Sequence, residues 1–161
     1  GCGVQVRDYG HALADDAVYA EKAAKVSELC RDPAEIIAAE RQRMLDMLAQ
    51  SRLERGRLAF HSPCTLQHGL KIRGIIEDFL NSAGYIISPS ADAHLCCGSA
   101  GTYSVLQPEL SGRLRDNKLA ALSAAAPRMI ATANIGCLTH LQAGSVLPVR
   151  HWIELIDEAL A

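Results

Sequence analysis

The chain has 161 residues, a formal net charge of −2 at pH 7 and only 4% aromatic residues. The slightly negative charge gives no reason to expect a basic surface, and the few aromatic residues leave little for stacking on bases, so we expect no nucleic acid partner. No apolar run approaches the roughly 20 residues of a membrane span, and no signal peptide is visible. We therefore expect a cytoplasmic protein, or the soluble part of a membrane-associated complex.

The first third of the chain is predicted to be helical after an initial turn. It opens on GCGVQVRDYG, a Gly-Cys-Gly start without methionine that is typical of a fragment of a longer protein. Helical patterns follow at 14–29 and 32–56. The second begins with Asp32 as N-cap and Pro33 at the first helical position, and Gly56 is its predicted end.

Beyond residue 56, short apolar runs alternate with helical patterns. Strands are predicted at 56–62, 85–90, 128–134 and 146–151, and helices at 66–84, 104–127, 136–144 and 151–160. Elements of these lengths in alternation imply βαβ units. The predicted class is α/β, a small parallel sheet with flanking helices.

The chain has six cysteines, and four of them follow predicted strands. Cys64 follows the first strand, the pair Cys96 and Cys97 the second, and Cys137 the third. Because parallel strands end at one edge of the sheet, where such folds bind ligands, we expect these thiols to share a site. Cys30 follows a helical pattern and is interpreted as a small buried hydrophobic residue.

Local geometry supports a shared site. Helix starts after Pro63 and after 134–136 would lower the pKa of the Cys64 and Cys137 thiols. On a regular strand Cys96 and Cys97 would point to opposite faces, and Gly98 gives the backbone freedom to turn both toward one site.

Three kinds of chemistry remain open on spacing alone. The C-x31-CC-x39-C pattern matches neither the C-x2-C knuckles of structural zinc nor the ferredoxin run. Thiolates without a carboxylate cluster suit iron–sulfur first and zinc second. A nucleophilic cysteine with His61 or His94 as base would leave three cysteines unexplained. The same histidines could instead donate hydrogen bonds to cluster sulfurs.

Other polar residues have simpler interpretations. Arg115 and Lys118 are predicted to lie on solvated helix faces or to meet an acidic partner subunit. His151 and Trp152 are attributed to packing or partner contacts. The CCGSAG stretch lacks the Lys-Ser/Thr of a phosphate-binding loop.

Several stretches together resemble the cysteine-rich, or CCG, domain family: FHSPCTLQHG, ADAHLCCGSAGTYSVLQPELSGRLRDNKLAAL, IATANIGCLTHLQAG and PVRHWIELID. This family includes a heterodisulfide reductase subunit and the lactate-utilisation iron–sulfur protein. The resemblance is closest to the C-terminal part of iron–sulfur subunits of glycolate-oxidising complexes. The resemblance implies that residues 57–161 form the CCG domain. It also implies that residues 1–56 are the end of a preceding cysteine-rich repeat followed by a helical connector.

The resemblance implies an iron–sulfur electron-transfer subunit of a 2-hydroxy-acid (glycolate) oxidising complex. Such a subunit passes electrons from flavin-containing subunits toward a quinone-type acceptor, in the cytoplasm or at the cytoplasmic face of the inner membrane. The chain would then be a non-catalytic fragment of an oxidoreductase. The implied cluster ligands are Cys64, Cys96, Cys97 and Cys137. Cys2 falls on the last element of the preceding repeat, whose other cysteines are absent from this chain.

The chain departs from the family at one position. The family pattern ends C-x-x-C, and His140 stands at its second cysteine. Four cysteines suffice for a [4Fe–4S] cluster, and histidine replaces cysteine on iron in some centres, so His140 is a candidate ligand or outer donor. Two alternatives remain: a zinc-binding structural or docking domain of a redox complex, and a thiol-based redox enzyme.

Overall fold

The fold is built on a four-stranded parallel sheet. The computed structural model describes residues 2–161. The strands are β1 (Arg57–His61), β2 (Ile86–Ser88), β3 (Met129–Thr132) and β4 (Val149–His151). They lie side by side in the order β2-β1-β3-β4. The predicted α/β class, a small parallel sheet with flanking helices, is confirmed.

The central strands bury both faces, as expected of a parallel sheet. Leu58 and Phe60 of β1 contribute to one hydrophobic cluster with Trp152 and Phe79. Ala59, which points to the opposite face, belongs to a second cluster. The result is three layers, with helices on both sides of the sheet.

The helices divide between these layers. The first cluster includes buried residues of α3 (Pro33–Ala39), α4 (Arg41–Leu48), α5 (Ile75–Ser82) and α9 (Trp152–Leu160). The second includes α7 (Pro108–Ser123) and α8 (Ile135–Gln142). It also contains Cys97, with Cys137 packed against it.

Four predicted helices differ from the structure, and the one predicted over 14–29 begins only at Ala20. The helix over 32–56 is two helices that meet at Glu40 and end at Leu48. The helix over 66–84 is a π-helical turn (Thr65–Gly69) and α5, separated by a segment in which Lys71 and Gly74 have positive φ. The helix over 104–127 is interrupted at Gln107, because a residue before proline is disfavoured in helical conformation. The short α6 (Tyr103–Leu106) precedes that break.

The predicted turn at Cys2 is wrong, because α1 (Cys2–Ala12) begins there. This helix packs on α2 (Ala20–Leu29), with Gly10 N donating to Ser27 Oγ at 2.8 Å. Helices α3 and α4 share a core with the sheet, and the division into 1–56 and 57–161 stays a prediction. Among the described residues no helix has both the length and the apolar character needed to cross a membrane.

Candidate metal centre at the carboxyl edge of the sheet

A cavity of about 780 Å³ lies where β1 and β3 end. Its lining includes the four strand-end cysteines, Cys64, Cys96, Cys97 and Cys137. The expected convergence of sequence-distant thiols at one sheet edge is therefore observed. All six cysteines are free thiols.

Cys64 and Cys96 are neighbours on one side of this cavity. Cys64 directly precedes the π-helical turn, and Cys96 lies in the loop that follows β2. Burial, followed by the proximity of the Cys96 thiol, raises the pKa of Cys64 to about 11. The predicted lowering by a helix N-terminus is wrong here, because desolvation and neighbouring thiols outweigh the small dipole effect.

Cys97, Cys137 and His61 form a second group. The two sulfurs and a ring nitrogen of His61 lie within 4.8 Å of one another. The hydrogen bond from the Cys137 thiol, with help from His61, lowers the pKa of Cys97 against the effect of burial. The same bond and burial raise the pKa of Cys137, contrary to the sequence prediction for that thiol.

These thiols are costly to ionise together. Ionised Cys96 and Cys97 raise the pKa of both Cys64 and Cys137, and the cavity lining in the described structure contains no lysine, arginine, aspartate or glutamate. A bound cation would remove that penalty, because metal binding and thiol deprotonation are coupled. The arrangement therefore favours a metal over free thiolates.

The backbone around the CCG sequence is shaped for this site. Gly98 has a φ of +97° and its amide lies 3.3 Å from the Cys96 sulfur. The Ser99 hydroxyl lies 3.8 Å from the Cys137 sulfur. Asn134 caps α8 by accepting from the amides of Gly136 and Cys137, which fixes the start of that helix.

A lysine lies buried beside the thiols. Lys118 of α7 is only 4% exposed, so the prediction that it lies on a solvated helix face is wrong. Its ammonium donates to the Asp92 carbonyl at 2.6 Å, in the loop that leads to Cys96. Burial lowers the pKa of Lys118, while ionised Cys64 and Cys97 would oppose that shift. Arg115 is half-buried and pairs with the exposed Asp116.

The histidines have separate positions. His140 lines the cavity, and its Nε2 lies 3.2 Å from Ser111 Oγ. His94 is exposed and outside the lining, so it is not placed to act on the thiols. His151 caps α9 while Trp152 is buried, which agrees with the predicted packing role.

The remaining two cysteines lie outside the cavity lining. Cys2 is exposed at the start of α1. Cys30 is only half-buried, and its sulfur lies 3.8 Å from the Gly3 carbonyl oxygen. Cys30 is the C-cap of α2, and its partial exposure departs from its interpretation as a small buried hydrophobic residue.

The donors present fit a thiophilic metal or cluster. Soft thiolates with an adjacent imidazole suit iron–sulfur or zinc. Nε2 of His61 is buried and has no hydrogen-bond partner among the described residues, as expected of an atom that faces a bound group. The cavity volume is many times the roughly 30 Å³ of one water molecule, which leaves room for a group of several atoms.

Known proteins resemble this chain over most of its length. It is 49% identical over 160 residues to the glycolate oxidase iron-sulfur subunit of Escherichia coli (strain K12), covering 99% of this chain and 38% of that protein. It is 28% identical over 148 residues to the "Probable glycolate oxidase iron-sulfur subunit" of Bacillus subtilis (strain 168), covering 89% and 32% respectively. It is 26% identical over 169 residues to lactate utilization protein A of Exiguobacterium, covering 99% and 66%.

The chain thus spans less than two fifths of the length of the first two relatives. The sequence profile of the cysteine-rich domain family, CCG, matches residues 58–142. That range includes the four cavity cysteines, all of β1 except Arg57, the whole of β2 and β3, and α8. With the thiols gathered at the carboxyl edge of the sheet, this match means that the chain belongs to the cysteine-rich CCG domain family.

Proposed function

We propose that this chain is the cluster-binding part of an iron–sulfur electron-transfer subunit in a complex that oxidises a 2-hydroxy acid, with glycolate as the substrate. The observation that carries the proposal is the convergence of four sequence-distant cysteines on one cavity. The named relatives, which include glycolate oxidase iron-sulfur subunits, supply the substrate class.

The proposed cluster ligands are Cys64, Cys96, Cys97 and Cys137, and the proposed cluster is [4Fe–4S]. Their placement in two neighbouring groups around one cavity supports a shared polynuclear group. Bound there, the cluster would supply reversible one-electron transfer. His140 is retained as a candidate outer donor. Cys2 is proposed to serve a second cluster whose other ligands lie outside this chain.

The chain's own residues would hold and tune that group. The buried Cys97 and the half-buried Cys137 would limit the access of water to one side of the bound cluster. The Gly98 amide and Ser99 hydroxyl, near the Cys96 and Cys137 sulfurs, would donate hydrogen bonds that stabilise the reduced, more negative state. Lys118 adds a positive charge beneath the same loop.

The partners in this proposal are flavin-containing subunits that oxidise the hydroxy acid and a quinone-type acceptor that receives electrons. The chain itself would not oxidise glycolate. A reducing cytoplasmic location, at the inner membrane through the complex, suits six unpaired cysteines.

A zinc-binding structural domain is the second candidate. It is favoured by the compact group of His61, Cys97 and Cys137, whose ligand atoms lie close enough to hold a single ion. A thiol-based enzyme is less well supported. Its most easily ionised thiol, Cys97, is only 1% exposed and is poorly accessible to a substrate.

An anaerobic preparation of the 161-residue chain tests the proposal. Iron, acid-labile sulfide and zinc are measured in the same sample, and visible and paramagnetic resonance spectra are recorded before and after reduction. Iron and sulfide in equal amounts with a reducible spectrum support the cluster. Stoichiometric zinc without sulfide would sink the proposal in favour of the second candidate.

A further inference from the structure

His61 is held in one orientation by the sheet itself. It is the last residue of β1 and is paired in register with Thr132, the last residue of β3. The two residues are 2% and 0% exposed. Nδ1 of His61 lies 2.9 Å from Thr132 Oγ1, so the backbone pairing fixes one side of the ring.

The imidazole of His61 also lies beside two of the cysteines. Nε2 of His61 is buried, and within residues 2–161 it makes no hydrogen bond of ordinary geometry. A ligand nitrogen of His61 and the sulfurs of Cys97 and Cys137 lie within 4.8 Å of one another. A buried polar atom without a hydrogen-bond partner is rare in folded proteins, and the side chains beside this imidazole are two thiols, which are good ligands for soft metals.

The bond to Thr132 is compatible with the protonation state that a metal requires of His61. When Nδ1 carries the proton and donates to Thr132 Oγ1, Nε2 presents its lone pair. In histidines that bind metals, the N–H of the other ring nitrogen commonly donates a hydrogen bond to an oxygen atom, and this bond fixes the tautomer and the orientation of the ring. Thr132 would be the orienting residue here.

His140 is placed differently although it stands at the family's fifth cysteine position. Its Nε2 lies 3.2 Å from Ser111 Oγ and 3.4 Å from the Ser111 carbonyl oxygen. It is therefore engaged with α7, whereas Nε2 of His61 has no such partner among the described residues.

We propose that His61, through Nε2, is a direct ligand of the group that Cys97 and Cys137 hold, and that it supplies the donor missing from the C-x-x-C element. The proposal rests on the proposed function for the identity of that group as an iron–sulfur cluster. The coordination by His61 is tested separately with a single metal ion.

Pulsed paramagnetic resonance of the reduced, anaerobically reconstituted chain tests ligation directly. The protein carries ¹⁵N-labelled histidine, so a nitrogen bound to iron gives a strong, isotope-sensitive coupling. The informative variant is His61→Asn, whose shorter amide can keep a bond to Thr132 Oγ1 but removes the ring nitrogen near the sulfurs. His140→Asn and the exposed His11→Asn are the matched controls.

The expected result is a strong coupling in the wild type that is lost in His61→Asn and kept in both controls. A coupling that survives in His61→Asn, or that disappears in His140→Asn, would overturn the proposal. So would a cluster without nitrogen coupling in the wild type, which would leave the proposed function intact. Circular dichroism and thermal unfolding of each variant establish that the fold is kept.

Titration with Co²⁺ alone, in the absence of sulfide, tests ligation by His61 independently of the proposed iron–sulfur function. We expect thiolate-to-cobalt absorption bands, with a dissociation constant at least about tenfold larger in His61→Asn than in His11→Asn. If the chain takes up no iron and sulfide but shows this cobalt difference, the proposed function fails and His61 ligation stands. Equal cobalt affinities in the two variants would contradict His61 ligation.

Discussion

Gly98 lies directly against the backbone of Ser111. A Cβ added to Gly98 would lie 2.5 Å from the Ser111 carbonyl oxygen and 3.1 Å from Nε2 of His140. The two residues are also joined by a hydrogen bond from Ser111 Oγ to the Gly98 carbonyl oxygen at 2.9 Å. The turn that brings both thiols of the CCG sequence toward the cavity therefore packs directly against the backbone of α7.

Gly98→Ala should therefore disrupt both the fold and the site. The positive φ alone costs roughly 1–2 kcal/mol for a residue with a Cβ, and the contact with backbone adds to it. We expect a lower melting temperature and less than half of the wild-type iron content. Gly74→Ala is the matched control, because Gly74 has a φ of +74° with open space around its Cβ position. Equal effects of the two substitutions would contradict the role of the Ser111 contact.

The four cavity cysteines should each be required for full metal content. Cys64→Ser, Cys96→Ser, Cys97→Ser and Cys137→Ser replace a soft donor with a poor one, so each should lower iron and sulfide by at least half. Cys30→Ser is the control, because Cys30 lies outside the cavity lining. Metal analysis after identical anaerobic reconstitution gives the comparison. A wild-type iron content in any one of the four variants would remove that cysteine from the ligand set.

Lys118 should raise the reduction potential of the bound cluster. Reduction adds negative charge, and the buried ammonium near Cys64 and Cys97 stabilises that charge. Lys118→Met should lower the midpoint potential by roughly 30–60 mV, where about 59 mV is a tenfold change for one electron. It should also lower the melting temperature, because the Asp92 carbonyl loses its donor.

The potential is measured by redox titration followed by paramagnetic resonance. Lys25→Met is the control, because Lys25 is exposed on α2 and pairs with the exposed Glu28. An unchanged midpoint in Lys118→Met, or an equal shift in Lys25→Met, would show that this lysine has a structural role alone.

The sheet and the meeting of the cysteines could be predicted because both follow from local signals. Short apolar runs separated by helical patterns predict parallel strands, and a residue that follows such a strand must lie at its carboxyl edge. Cys64, Cys96 and Cys137 each meet that condition. The interruption before Pro108 also has a local signal, the restriction on the residue preceding proline.

The parts that could not be predicted depend on contacts between distant segments. The orientation of His61 comes from its register with Thr132, 71 residues away, which periodicity does not reveal. The burial of Lys118 depends on the loop at Asp92 covering α7. The pKa of Cys64 follows from burial and neighbouring thiols, whereas sequence alone shows only the adjacent turn. The conformational freedom of Gly98 is evident from its residue type, but its contact with Ser111 depends on the packing of α7.

Glu77 should make the stability of the metal-free chain depend on pH. Burial raises the pKa of this carboxyl, in the first turn of α5, above its ordinary value of 4.5. A carboxyl with a raised folded pKa gives its full stabilisation below about pH 4.5 and loses it as the pH rises through the folded value. Glu77→Gln should therefore gain stability relative to wild type between pH 4 and pH 7. Because Glu77 is partly exposed, the gain should be under about 1 kcal/mol, or up to about 2–4 °C.

Thermal unfolding of Glu77→Gln at pH 4 and at pH 7 checks this prediction, with the exposed neighbour Asp78→Asn as control. A Glu77→Gln difference that is the same at pH 4 and pH 7 would show that ionisation of this carboxyl does not affect folding.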